Sequence, residues 1–328
     1  MLNPNLKLNS KIFDEEVEMK ATRDGFGTGL VSLGENNPAV VVLTADLSES
    51  TRTEEFSKKF PERFFECGVA EQNMAAIAAG LGVSKKIPFM SSYATFSPGK
   101  NWETIRTTIV YNHSNVKIAG HHSGIMTGPD GATHQATEDI AITRCWPDIE
   151  IILPCDSHEA KRATILAADV DGPVYLRFSR DKSAVMTTEE TPFDKKIQTF
   201  WVTENPKCTI FGTGHMLYHA LMAGKELETE GINVLVANVA YIKPLDEEGV
   251  LSLVEKTGCA VSVEDHQVTG GLGGALAELL AKRKPTPMEF IGLQNTFAES
   301  GSPKDIMEKY GMGKEAIKAA VRKVISRK

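Results

Sequence analysis

The apolar residues of this chain gather into short continuous runs, and between the runs they recur at intervals of three and four. Runs of that length predict buried strands, and the intervening spacing predicts helices. Val17, Phe26, Leu30 and Leu33 mark a helix over 15–33 that should stop before Asn36-Asn37-Pro38. A strand over 39–43 follows and ends in the polar tip Thr44-Ala45-Asp46-Leu47-Ser48. Further strands are predicted at 64–65, 88–91, 116–119, 150–153 and 174–178, separated by helices at 70–81, 102–111, 135–146 and 159–168. One helix between successive strands is the mark of βαβ units, so a mostly parallel, doubly wound α/β sheet is expected. Such sheets carry ligands beyond the C-terminal ends of their strands.

Between 181 and 206 the pattern lapses into charged and Thr-rich sequence. It then resumes with strands at 209–211, 233–239, 260–263 and 288–291 and a last helix at 314–325. Two doubly wound α/β domains are therefore expected, 1–185 and 206–328, with a linker at 186–205. A chain of 328 residues that is 41% apolar has enough material for a full core in each.

Charge and composition remove several function classes. The net charge is −7, and no cluster of Lys and Arg is interleaved with aromatics, which argues against nucleic acid as a partner. No window approaches the ~18 continuous apolar residues of a membrane span. The start, MLNPNLKLNSKIFDEE, lacks the apolar core of a signal peptide, so a cytoplasmic location is expected. Cys67, Cys145, Cys155, Cys208 and Cys259 form no CxxC pair and read as reduced core residues.

Candidate chemistry concentrates at a few tips. Glu71, in FFECGVAEQNM, stands where a strand hands over to an apolar helix and should be buried. A carboxyl at that depth favours its neutral, hydrogen-bonding form, which suits a proton donor to a heterocycle. The plain alternative is a first-turn Glu that complements the helix dipole. The segment HHSGIMTGPDGATHQ brings His122, Asp130 and His134 to the rim on a loop punctuated by Gly124, Gly128 and Gly131. It reads as a site, or else as a turn with a helix cap. Tyr93 and Phe96, taken alone, read as core. Arg180 emerges from the strand VYLRF on the ligand side and calls for an anion or a surface ion pair. The run 269–274, TGGLGG, opens a helix as an anion-binding turn would, although close helix packing explains it better.

In order and spacing, GVAEQNMAAIAAGL, PFMSSYATF, HHSGIMTGPDGATHQATEDIA, LPCD and GPVYLRFSR resemble the pyrimidine-binding domain of transketolases, and the second half resembles their C-terminal domain. The resemblance runs from about Glu15 onward. It implies transfer of a two-carbon ketol unit from a ketose phosphate to an aldose phosphate, with thiamine diphosphate as cofactor. Glu71 would hydrogen-bond N1′ of the aminopyrimidine and favour the imino tautomer, whose N4′ takes the thiazolium C2 proton. Tyr93 and Phe96 would pack on the pyrimidine, which overturns the core reading, and Asp46 and Leu47 would lie beside the thiazolium. Arg23, Ser50, His122 and Arg180 fall on phosphate-binding positions. Asp130 would meet a substrate hydroxyl, and His134 the donor's carbonyl end and the developing alkoxide.

Departures from the family pattern carry implications of their own. Transketolases bind the diphosphate and its Mg²⁺ through a separate domain with a GDG motif, whereas none of Asp24-Gly25, Asp130-Gly131 and Asp171-Gly172 follows a glycine. The chain is thus expected to be the C-terminal subunit of a split transketolase, binding the pyrimidine end of the cofactor. Its partner would be an N-terminal subunit carrying the diphosphate and Mg²⁺ site. A homodimer of this chain within a heterotetramer is expected, with pentose phosphate metabolism as the setting. Ser97-Pro98-Gly99-Lys100 offers no counterpart of the family's third aromatic, and Ala132 stands where proline is usual. The nearest alternatives are the β-subunit of a 2-oxo acid dehydrogenase and a deoxyxylulose-phosphate-synthase-like enzyme. His122, His134-Gln135 and the Arg23/Arg180 pair favour sugar-phosphate transfer over both. A non-catalytic dimerising or regulatory module is disfavoured because a buried Glu71 without a cofactor is costly.

Overall fold

The computed structural model describes all 328 residues, Met1 to Lys328. The first half runs β1 (Met19–Ala21), α1 (Thr22–Asn36), β2 (Val40–Thr44), α2 (Glu54–Lys59), β3 (Phe64–Glu66), α3 (Glu71–Val83) and β4 (Ile87–Tyr93). A short α4 (Trp102–Thr104) continues in wider turns over 105–110. Then come β5 (Lys117–His121), α5 (Asp139–Arg144), β6 (Glu150–Ile152), α6 (Ser157–Ala167), β7 (Val174–Arg177) and β8 (Lys182–Ala184). The second half runs β9 (Gln198–Trp201), β10 (Cys208–Gly212), α7 (Met216–Thr229), β11 (Val234–Asn238), β12 (Tyr241–Lys243), α8 (Glu247–Thr257) and β13 (Ala260–Gln267). It ends with α9 (Leu272–Arg283), β14 (Met288–Leu293), α10 (Pro303–Lys309) and α11 (Lys314–Ile325).

Seven strands form the first sheet in the order β12-β6-β7-β5-β4-β2-β3. All neighbours are parallel except β12, which runs antiparallel to β6. Every residue of β2, β5 and β7 is buried, as a sheet covered on both faces requires, and this is why β2 stands out as an apolar run while β5 and β7 carry buried Lys117, His121 and Arg177. From β2 the chain reaches β3 on one side and β4 on the other, so the winding reverses there and opens a crevice beyond the strand ends. The second sheet has the order β14-β13-β10-β11-β9, parallel but for β9.

Several expectations change. Residues 15–21 are not helical: Met19–Ala21 pairs antiparallel with Lys182–Ala184, and α1 begins at Thr22. The charged stretch before it has too few apolar residues to bury as a helix face. β3 is an edge strand with Phe65 38% exposed, so the turn into α3 lies at the surface even though Glu71 does not. The helix at 135–146 shrinks to α5 because 135–138 stays non-helical to meet the second half, where Gln267 N donates to Thr137 O at 2.7 Å. The stretch 186–205 is no free linker: it supplies β9, and Met186 N and Thr187 N donate to the Asp156 carboxylate at 2.8 and 2.6 Å. All five thiols are free, but Cys145 is exposed and Cys67 half-buried rather than core.

A buried ion pair inside the first half reaches across to the second. Arg177, at the end of β7, donates through Nε to Asp139 Oδ2 at 2.7 Å and through Nη2 to Oδ1 at 3.0 Å. Tyr175 Oη donates to the same carboxylate at 2.5 Å. Arg177 Nη2 also reaches Ala136 O at 3.2 Å and Asp265 O, in the second half, at 2.8 Å. Burial alone would raise the Asp139 carboxyl, but Arg177 beside it holds it below the usual carboxylate range. Removing one partner strands the other charge in the interior. Asp139→Ala should therefore cost about 3–5 kcal/mol of stability, read as a lower urea midpoint at unchanged slope.

Candidate active site

The tips that follow β4, β5 and β7 meet over the crevice, because parallel strands end together. Tyr93, closing β4, stacks on His122 with ring centroids 3.8 Å apart and on Phe96 at 5.9 Å. His134 presents its ring edge-on to both aromatics, at 6.1 and 5.4 Å. Four predicted site residues thus form one aromatic wall. His122 is buried; that burial, followed by the charges of Arg23 and Arg180 and by His134, pushes its imidazole down to about 3. Behind it His121 is fully buried between Phe26 and Phe178, with neither ring nitrogen partnered.

The loop after β5 is bent by Gly124, Gly128 and Gly131, which take φ of 74°, 70° and 74°. A Cβ on Gly124 would lie 2.0 Å from Asp265 Oδ2. That carboxylate accepts from Ile125 N at 2.8 Å and Met126 N at 3.3 Å, so the second half clamps the loop. Gln135 Nε2 adds bonds to Gly128 O and Glu299 O at 3.2 and 3.3 Å. Thr133 and His134 do not cap a helix, since α5 starts at Asp139. Instead Thr133 Oγ1 engages His134 Nδ1 at 2.8 Å.

Beside His122 lies a group of cations. Arg23 Nη1 donates to Ser50 O at 2.8 Å, so Ser50 takes part through its carbonyl, and Arg23 Nε is buried without a partner. Burial, then neighbouring Arg52, lowers the Arg23 guanidinium from its ordinary value. Arg180 Nη1 donates to Thr127 O at 2.8 Å and stands 4.0 Å from Asp130. Arg52, tied to Asp24 at 2.7 Å, joins this group and escaped the sequence reading because only the fold brings it here.

Glu71 begins α3 and is 2% exposed. Its carboxyl group does not stand alone: Lys100 Nζ donates to Oε2 at 2.9 Å. Asn101 Nδ2 holds the Glu71 backbone carbonyl at 3.0 Å. Asp46, at φ 61° and exposed, donates its N–H to Glu66 Oε1 at 2.8 Å, and the same oxygen takes Gly68 N at 2.9 Å. Asp46 and Leu47 share no hydrogen bond or ion pair with the other predicted residues.

Two further features are separate from this crevice. A cleft of about 640 Å³ lies between the halves, lined by Met126, Asp181, His215 and Met307, and none of the predicted site residues borders it. The glycine turn at the start of α9 already holds an anion of its own, since Leu272 N and Gly273 N donate to Glu264 at 2.7 and 2.8 Å. No three His, Cys, Asp or Glu side chains lie together in a way that could hold a metal ion.

Residues 18–185 match the family described as transketolase, pyrimidine binding domain, and residues 200–317 match transketolase, C-terminal domain. A protein of Methanocaldococcus jannaschii described as a putative transketolase C-terminal section is 41% identical over 301 residues, 91% of this chain and 94% of that one. Transketolase of Homo sapiens is 32% identical over 327 residues, 99% of this chain, yet the chain spans only 51% of its length. A solved structure described as split gene transketolase, inactive beta4 tetramer, has a TM-score of 0.87 at 41% identity and covers 93% of this chain and 98% of that one.

Because its pKa falls to about 3, His122 should stay neutral throughout the physiological range. Its ring ¹⁵N shifts should not move between pH 5 and 8, where an ordinary histidine, with a pKa of about 6.5, titrates.

Proposed function

The chain belongs to the transketolase family, and from that premise we propose that it is the C-terminal subunit of a split enzyme transferring a two-carbon ketol unit between sugar phosphates. The observation that carries this reading is the turn 93–101, which bears two aromatic rings, Tyr93 and Phe96, and a lysine paired with a buried carboxylate, Glu71. An acid beside aromatic faces suits a flat nitrogen heterocycle, so these residues fit the aminopyrimidine of thiamine diphosphate. When bound, that cofactor supplies a carbanion able to add to a ketose carbonyl.

The chain's own residues have separable tasks. Tyr93 and Phe96 offer faces for the pyrimidine, while Glu71 Oε1, which accepts no other hydrogen bond, meets its ring nitrogen. Asp46 and Leu47 border the thiazolium. Arg23, Arg180 and neutral His122 receive the sugar phosphate, the guanidinium groups through paired charge-assisted bonds. Asp130 meets a substrate hydroxyl. His134, its Nδ1 engaged by Thr133, turns Nε2 toward the carbonyl oxygen and steadies the alkoxide that grows there.

No cluster of His, Cys, Asp and Glu supplies ligands for Mg²⁺, and we assign the diphosphate and its metal to a partner N-terminal subunit. Val69, Ile77, Val83 and Tyr111 are 71%, 37%, 68% and 85% exposed around α3 and the helix after β4, an apolar surface suited to a second copy of this chain. The description of the similar solved protein as an inactive tetramer supports self-association and the need for a second subunit. A homodimer flanked by two partner subunits, working in the cytoplasm on pentose phosphates, is the assembly and setting this reading favours.

Xylulose 5-phosphate and ribose 5-phosphate with thiamine diphosphate and Mg²⁺ provide the test. Transfer should appear only when the chain is mixed with its partner subunit, and Glu71→Ala should lower kcat by roughly 10²–10⁴-fold. Activity in the lone chain would contradict the assignment of the diphosphate site.

A further inference from the structure

We propose that Lys100 is a positioning residue for Glu71, holding it as a carboxylate with one oxygen committed and the other open to the ring nitrogen of the cofactor. The inference rests on the reading of the site given above and goes beyond it. Glu71 Oε2 takes the Lys100 ammonium at 2.9 Å, and Oε1 accepts nothing from the protein. The two side chains differ sharply in exposure, 50% for Lys100 and 3% for Glu71. A lysine that reaches from the surface to a sunken carboxylate gains little for itself, whereas the carboxylate gains its only counter-charge.

The grip has two points. Asn101, the next residue, donates Nδ2 to the Glu71 backbone carbonyl at 3.0 Å and to Ser97 Oγ at 3.2 Å. Side chain and backbone of Glu71 are thus both fixed by the segment 97–101. The remaining charged groups on packed or adjoining elements leave Glu71 alone. Glu103 and Arg106 point to solvent, and Glu66 is engaged by Asp46 N and Gly68 N.

The consequence is a rule for protons. A carboxylate held by an ammonium has no proton to give, so the proton shared between Glu71 and a ring nitrogen must come from solvent as the cofactor binds. Without the ammonium, a buried carboxylate relieves itself by taking that proton beforehand.

Calorimetric titration of thiamine diphosphate into the complex of this chain with its partner subunit, near neutral pH and in buffers of different ionisation enthalpy, counts the protons taken up. The wild-type complex and Lys100→Arg should take up close to one proton per site, and Lys100→Met clearly less. The acid limb of the kcat profile should rise by about one pH unit or more in Lys100→Met and stay put in Lys100→Arg, with the KM for the sugar phosphate unchanged. Thermal unfolding of each complex separates these effects from loss of fold. Equal proton uptake in wild type and Lys100→Met overturns the inference, and so does Lys100→Arg behaving like Lys100→Met. A wild-type complex that binds no thiamine diphosphate overturns the site assignment along with it.

Discussion

The guanidinium of Arg177 is the point on which the crevice depends. It sits at the end of β7, 8% exposed, and engages Asp139, Ala136 and Asp265 at once. Through it the central sheet, the segment leading into α5 and the tip of β13 share one buried network. Asp265 in turn holds the glycine loop by two backbone N–H groups, so His122 and His134 are placed by residues from both halves of the chain. A second half with no site residue of its own acquires a function here: it is the mould in which the loop sets. Buried polar networks of this kind are costly when incomplete and rigid when satisfied, which favours a loop with one conformation.

Charge is distributed with similar economy. Three arginines beside an imidazole would repel a fourth cation, and the site avoids this by keeping His122 neutral through burial. At the other end of the aromatic wall the buried carboxylate has its counter-ion already. Lys100 also revises one inference from sequence: an uncompensated Glu71 would have counted against a chain without cofactor, but the ion pair meets that cost within the chain. The case for catalysis therefore rests on the family and on the convergence of site residues rather than on the expense of one buried acid.

Much of this was legible in the sequence where burial on both faces makes composition uniform. β2 showed itself as an apolar run, and the residues just past β4, β5 and β7 could be assigned to one rim because parallel strands end together. β1, β9 and β12 were not visible, since each is short and owes its existence to a partner far away in the chain. Lys100, Arg52 and Asp265 were missed for the same reason: Asp265 grips Ile125 across 140 positions, and no spacing rule reaches that far. At α9 the glycines serve both accounts considered for them, since Gly271 and Gly273 allow close approach and the freed N–H groups bind Glu264.

β12 has a bearing on how the molecule comes into being. This strand from the second half closes the outer edge of the first sheet beside β6, and near the N-terminus Asn3 N donates to Phe200 O in β9 at 2.9 Å. A nascent first half emerging from the ribosome would therefore expose an unpaired β6 edge, the kind of surface on which chains join wrongly. That edge stays open until residue 243 has been made, so the chain must complete its folding late, as one unit rather than one domain at a time.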